Sequence, residues 1–403
     1  MNIIHKLLFR GTILFALTLA VGLSGCSMPV RQPAVPKVWA EKAEVTGLPN
    51  VRYVVNGEMT EVVQEGLDSI KRELSYLATQ GQTDSHHLAP SHFLALSGGG
   101  DDGAFGAGLL CGWTQSGQRP EFKLVTGIST GALLAPFAFL GPQYDEVLKA
   151  VYTQTTPKDI LEPRGVLAAV FDDALADNAP LGKLVEKYMT ADLLKQISNE
   201  YTKGRLLLMA TTNLDSRQAV IWNMTKIAAS GHPRSLELFH KIMLASAAIP
   251  GAFPPAMIDV EVEGKHYQEM HVDGGAQAQV FVYPTSLNLS NVAKQHGIDR
   301  ERHLYIVRNA RLDSDWAEVD RQTLSIAGRA ISSLIQAQGV GDLYKIYATA
   351  KRDGLDYNLA YIPSDFNTPH QEDFDSAYMQ SLFQTGYNQA LNGYQWKKVP
   401  PGM

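Results

Sequence analysis

From residue 92 onward, short apolar runs alternate with longer stretches in which apolar residues recur every three or four positions. The runs at 93–96, 122–125, 205–211, 218–223, 266–272 and 303–307 have the length and composition of strands. Residues 104–113, 132–140, 181–189 and 236–248 have the longer period of helices. Strands separated by helices predict an α/β fold with a mostly parallel central sheet. Upstream, Val63, Leu67, Ile70, Leu74 and Leu77 repeat at 4-3-4-3 spacing, with Glu65, Asp68, Lys71, Arg72 and Glu73 between them. Two heptads are too few for a coiled coil, so this stripe predicts a helix packed on the main domain, with dimerisation as the alternative. Beyond Leu312, residues 324–347 read as one or two amphipathic helices and 378–391 as another, ending near Gly393. They could cover a pocket or form a structural layer, and periodicity does not choose between the two.

The N-terminus has a different pattern. Lys6 and Arg10 precede an apolar run at 11–23 that stops at Ser24-Gly25-Cys26, and no Asp or Glu occurs before Glu41. This is the layout of a signal peptide over residues 1–25, and the run falls short of the ~20 residues that span a bilayer. Pro29, Pro33, Pro36 and Pro49 then suggest a tether over 26–57. With 403 residues, 45% of them hydrophobic, the chain can bury a large core, which excludes a disordered protein. A formal charge of −6 without a basic block excludes the electrostatic footprint of a nucleic-acid binder. Cys26 and Cys111 are the two cysteines; they make no disulfide framework, and no Cys/His set has the spacing of a metal site. Cys111 sits in an apolar run, where a buried small hydrophobe is the expectation.

Three short motifs carry candidate chemistry. Ser97-Gly98-Gly99-Gly100-Asp101-Asp102-Gly103 lies between a predicted strand and a predicted helix. It can present backbone N–H groups to a phosphate or an oxyanion. It lacks the Gly-Lys-Ser/Thr of a Walker loop and the glycine spacing of a dinucleotide fingerprint. Gly127-Ile128-Ser129-Thr130-Gly131 has the strand-to-helix context that a nucleophile elbow requires. For a base, two arrangements compete. One is a carboxylate acting alone, Asp273 of Asp273-Gly274-Gly275, at the end of a predicted strand, where a plain Asp-Gly turn is the alternative. The other is a Ser–His–Asp set using His240, His266, His271 or His303; His271 lies two residues before Asp273, on the same face of its strand.

Leu23-Ser24-Gly25-Cys26 resembles the lipobox of bacterial lipoproteins, which implies acylation of Cys26. With Ser27 following, it implies anchorage in the cell envelope, at the outer membrane facing the periplasm. The three chemical motifs, in this order, resemble those of the patatin-like phospholipases, as does 245–255, Ala-Ser-Ala-Ala-Ile-Pro-Gly-Ala-Phe-Pro-Pro. Residues 210–214 match more loosely, and the resemblance covers about 93–284.

It implies a three-layer α/β/α sandwich and a serine acyl hydrolase working through a Ser–Asp dyad on an acyl lipid, without a cofactor. Ser129 would be the nucleophile and Asp273 the base. N–H groups of Gly98, Gly99 and Gly100 would form the oxyanion hole, and Gly127, Gly131 and Gly274 would support the turns. The implied organisation is a helical segment at 58–91, a catalytic domain at 92–290 and a mostly helical extension at 291–403 that completes it. One position departs from the family. Its loop usually has Arg or Lys where this chain has Asp102, so a phospholipid preference set by a cation there is in doubt. A catalytically silent lipoprotein with a binding role is the alternative from another class. Helix capping is the plain expectation for Asp101 and Asp102.

Overall fold

A computed structural model describes residues 31–55, 59–82, 88–165, 172–313 and 316–403. The signal peptide and Cys26 lie outside the described residues. In chain order the strands of the main sheet are β1 (Glu44–Val45), β2 (Arg52–Val54), β3 (Ser91–Leu96), β4 (Leu124–Gly127), β5 (Leu206–Asn213), β6 (Gln218–Asn223), β7 (Ala256–Val262), β8 (Lys265–Asp273), β9 (Arg302–Arg308) and β10 (Asp356–Tyr361). The helices that matter most below are α1 (Thr60–Thr79), α2 (Gly103–Gln115), α3 (Thr130–Leu140), α4 (Ala179–Tyr188), α5 (Ser235–Ser246), α6 (Thr323–Asp353) and α7 (Ser376–Leu391).

The sheet runs β1-β7-β8-β5-β4-β3-β9-β10, with β6 pairing β5 and β2 pairing β6. Neighbours from β5 through β10 are parallel, and β7, β8, β6 and the two short N-terminal strands add antiparallel pairs. The sheet is therefore mixed and mostly parallel at its centre, flanked by helices. Strand alternation divides the core between its faces: Leu94, Leu96, Leu207 and Met209 point to one apolar cluster, and Phe93, Ala95, Leu206 and Leu208 to another. Helices α2, α3, α5 and α7 contribute to the first, whereas Leu343, Ile346 and Ala350 of α6 close the second. Among the described residues, no helix is long and apolar enough to cross a membrane.

Two expectations change. Residues 31–55 do not run free as a tether. β1 pairs with β7 and β2 with β6, and Arg31 forms a double ion-paired contact with Asp215 at 2.8 Å. Strands of two and three residues are too short to show a period, and their edges were invisible among the prolines. The dominant local bond is buried: the Arg52 guanidinium pairs with Glu269 of β8 and also donates to the Ala43 carbonyl. Second, the extension at 291–403 adds to the strand expected at 303–307 a further one, β10, and β9 sits between β3 and β10 within the main sheet. The stripe on α1 forms as a helix, but its fully buried residues are Glu65 and Ser69. Glu65 meets Arg72 at 2.6 Å, and Ser69 donates to the Gly204 carbonyl. Polar contacts therefore dock this helix as much as its apolar stripe.

The glycines after the 97–103 loop serve close packing. A Cβ on Gly108 would come within 2.0 Å of the Phe383 carbonyl oxygen, one on Gly112 within 2.2 Å of that of Tyr387, and one on Gly386 within 2.4 Å of that of Phe105. Helices α2 and α7 thus touch backbone to backbone through small residues on both sides. Cys111 is buried on α2, and burial raises its thiol to about 12. The thiol is protonated at neutral pH, as its apolar setting suggested.

Gly108→Ala and Gly112→Ala should each lower unfolding free energy by about 1–3 kcal/mol through overpacking. Gly66→Ala, on a helix position with open space around it, should raise it by about 0.5–1 kcal/mol. Urea denaturation of the three variants checks this contrast, and equal effects would contradict it.

Candidate active site

The site arises where two strands share one edge of β5. β4 pairs in parallel along that edge as far as Gly127 opposite Met209. Beyond Gly127 the chain turns away, and the last residues of β8 occupy the vacated edge in the antiparallel sense, with Asp273 opposite Thr211. Continued in parallel register, β4 would have put residue 129 opposite Thr211. The handover therefore brings Ser129 and Asp273 together, although 144 positions separate them in the chain.

Ser129 has φ 56° and ψ −127°, a strained conformation for a residue with a side chain, held by its surroundings. The glycines flanking it explain the spacing of the motif. A Cβ on Gly127 would meet the Gly131 carbonyl oxygen at 2.4 Å, and one on Gly131 would meet that of Leu96 at 2.2 Å. Gly274 approaches the Ala210 carbonyl in the same way, at 2.5 Å. The turn leads straight into α3, so the N-terminal backbone of that helix lies beside the Ser129 side chain.

Both side chains are buried, Ser129 at 8% exposure and Asp273 at 4%. Burial raises the Asp273 carboxyl to about 6, while hydrogen bonding from the Ser129 side chain and from the Gly275 N–H, 2.7 Å from Oδ1, pulls it back. A carboxylate with that affinity can accept a proton near neutral pH. The end of α5 positions both groups. The Ser129 N–H donates to Ser246 Oγ at 3.1 Å, Ser246 Oγ donates to the Ala210 carbonyl at 2.8 Å, and the Asp273 N–H donates to the Ala248 carbonyl at 2.9 Å. The resemblance marks 245–255 but assigns no role to the Ser246 hydroxyl.

Three of the candidate histidines are engaged elsewhere and the fourth is exposed. His271 is wholly buried, with Nε2 3.0 Å from Glu269 and Nδ1 2.8 Å from Thr211 Oγ1. The ionised Glu269 carboxylate can only accept, so the ring proton sits on Nε2, and Nδ1 accepts from the Thr211 hydroxyl, whose oxygen also accepts from Trp222 Nε1. Burial holds His271 below the usual histidine range, so it is a neutral link between Glu269 and Thr211. His240 Nε2 bonds the Met189 carbonyl at 2.7 Å, His303 meets Asp356, and His266 is exposed.

The glycine loop lies over the same end of the sheet. The Gly98 N–H is spent on the Gln279 carbonyl at 3.0 Å, so Gly99 and Gly100 are the loop's candidate donors. Gly99 has φ 157° and ψ 7°, and a Cβ there would fall 1.9 Å from the Asn309 carbonyl oxygen, which only glycine avoids. Asp101 and Asp102 do not cap α2. Asp101 accepts from the Phe374 N–H at 2.9 Å and meets His370 at 2.7 Å, and Tyr378 Oη donates to Asp102 at 2.5 Å. Asp101 ties the loop to the segment leading into α7, and Asp102 ties it to the first turn of that helix. Burial raises Asp102 to about 7, against the Tyr378 bond.

From Gly100 and Thr130 an apolar cleft runs between α3, α4, α5 and α7, walled by Leu133, Phe137, Val185, Met243 and Met379 among others. The C-terminal helix is therefore both a structural layer and part of this wall. A second apolar cavity lies under α1 on the opposite face of the sheet, lined by Leu67, Ile70, Phe93 and Leu208 among others.

Residues 94–285 match the family model described as patatin-like phospholipase, and this part of the chain is a patatin-like phospholipase domain. Its family consists of ester-hydrolysing enzymes, which places the domain among lipid acyl hydrolases. The crystal structure of VipD from Legionella pneumophila is similar, with 13% identity and a TM-score of 0.31 over 75% of this chain and 67% of that one. No curated protein matches the chain.

Ser246→Ala should leave the Ser129 N–H and the Ala210 carbonyl without their buried partner, costing about 1–3 kcal/mol of stability. It should also reduce ester hydrolysis by up to about 10²-fold by loosening the turn. Denaturation and kcat, measured together, check both; a variant unchanged in both would contradict this role.

Proposed function

We propose that the protein is a lipid-anchored serine acyl hydrolase of the bacterial envelope that cleaves carboxylic esters of lipids through Ser129 and Asp273. The observation that carries this reading is the strained Ser129 turn, with the Asp273 carboxyl beside it on the shared strand edge. Asp273 takes the Ser129 proton as Oγ adds to the ester carbonyl. N–H groups of Gly99 and Gly100 stabilise the oxyanion. Collapse breaks the ester C–O bond, and the proton passes from Asp273 to the leaving alcohol. Water, deprotonated by Asp273, then attacks the acyl-enzyme and releases the fatty acid and free Ser129. The apolar cleft beside Thr130 suits the acyl chain. With His240, His271 and His303 bonded elsewhere and His266 exposed, a carboxylate base is favoured over a Ser–His–Asp set.

Ser129→Ala and Asp273→Asn should each lower kcat on short- and long-chain acyl esters by roughly 10³-fold or more, while His271→Asn should lose stability more than chemistry. Activity that survives Ser129→Ala would refute the enzyme reading and favour a binding role. Because the base must be ionised, kcat/KM should rise with pH through about 6 and fall away below it. The same limb should persist in Asp102→Asn, which distinguishes Asp273 from the other buried carboxyl.

For the anchor, Cys26→Ser expressed in a Gram-negative host should abolish incorporation of radiolabelled palmitate and release the protein from the membrane fraction. Labelling that persists in the variant would place the lipid elsewhere.

A further inference from the structure

Arg308 ends β9, in a part of the chain to which the motifs assign no chemistry. Its side chain is 2% exposed, an uncommon position for a guanidinium. Nη1 donates to Ser97 Oγ at 3.3 Å and to the Gly98 carbonyl at 3.4 Å. Ser97 Oγ in turn donates to that carbonyl at 2.7 Å, while the Asn309 N–H holds the same hydroxyl at 2.8 Å. The Gly98 carbonyl belongs to the peptide unit whose N–H is that of Gly99. Donors on the oxygen of a peptide withdraw electron density and make its N–H a stronger donor. The Nε atom of Arg308 is buried without a hydrogen-bond partner, so packing accepts an energetic cost to hold the charge here. Gly339 of α6 makes the room: a Cβ there would meet the guanidinium at 2.6 Å. Burial lowers Arg308 only to about 10, so it stays cationic at neutral pH. The nearby carboxylates are Asp102 and Asp342; the latter accepts from the Gln279 N–H at 2.7 Å.

We propose that Arg308 is a positioning residue for the hydrolysis, supplying through the Gly98–Gly99 peptide the positive bias that a loop containing Asp101 and Asp102 cannot itself provide to a developing oxyanion. This rests on the reading of Ser129 as nucleophile.

The experiment compares wild type, Arg308→Met, Arg308→Lys and Gly339→Ala on 4-nitrophenyl octanoate. It also measures their affinity for an alkyl trifluoromethyl ketone, which forms a tetrahedral oxyanion, and for the matching alcohol, which does not. Arg308→Met should lower kcat by about 10- to 100-fold, below the loss expected for a direct oxyanion donor, with KM changed less than about twofold. Ketone affinity should fall by the same factor as kcat/KM, and alcohol affinity should stay constant. Arg308→Lys, which keeps the charge, should recover at least half of the loss on a logarithmic scale. A folded Arg308→Met with wild-type kcat, or with ketone and alcohol weakened equally, overturns the assignment. Should Arg308→Met fail to fold, Gly339→Ala decides, because its methyl displaces the guanidinium without deleting it; unchanged kcat there overturns the proposal. Hydrolysis that survives Ser129→Ala removes the underlying reading instead, whereas hydrolysis that needs Ser129 and ignores Arg308 sinks only this inference.

Discussion

One edge of the strand Leu206–Asn213 is shared by two partners of opposite direction, and the geometry of the site depends on where one hands over to the other. Backbone N–H and C=O groups inside a sheet must be paired. When β4 leaves the edge at Gly127, another strand has to take its place, and β8 does so with Asp273 as its last residue. The strained serine and the buried carboxyl therefore face each other because of sheet bonding, not because of attraction between their side chains. Ser246 and Ala248, at the end of α5, clamp the two sides of this junction.

Tight backbone approach recurs wherever glycine clusters, but with two purposes. Gly99, Gly127, Gly131 and Gly274 let turns pass within contact distance of neighbouring carbonyls at the site, whereas Gly108, Gly112 and Gly386 let α2 and α7 pack against each other. The second group holds in place the wall that carries Met379 and the Tyr378 bond to Asp102. Packing far from Ser129 thus controls both the shape of the apolar cleft and the charge around the glycine loop.

Buried charges follow a consistent plan. Arg52, Glu269 and His271 form a chain inside the antiparallel half of the sheet that ends two residues before Asp273. Burial pushes the Glu269 carboxyl up, but His271 and Arg52 outweigh it and hold it below the usual carboxylate range. Removing one partner would leave an uncompensated buried charge, a far larger penalty than the pair's net worth. Around the glycine loop the charges are distributed differently: Asp101 and Asp102 are held by His370, Phe374 and Tyr378, and the cation comes from β9. A lipid acyl hydrolase domain built this way draws on residues from the chain's last hundred for its electrostatics.

The periodicity along the chain determined the strands at 93–96, 205–211 and 303–307 and the helices at 104–113 and 132–140, because burial on a strand or helix face is a local property of spacing. The three motifs likewise determined Ser129, the glycine loop and Asp273 as candidates, since steric demands at tight turns leave only small residues beside them. Short edge strands such as Glu44–Val45 carry no period, and the packing duty of Gly108 and Gly112 could not be told from loop chemistry. Only the tertiary structure decided that residues 31–55 join the sheet, that His271 is a neutral link, that Gly98 is already bonded, and that Arg308 lies under the loop. Each of these depends on pairings between residues far apart in the chain, and such pairings are set by strand register and burial after folding, which no local spacing encodes.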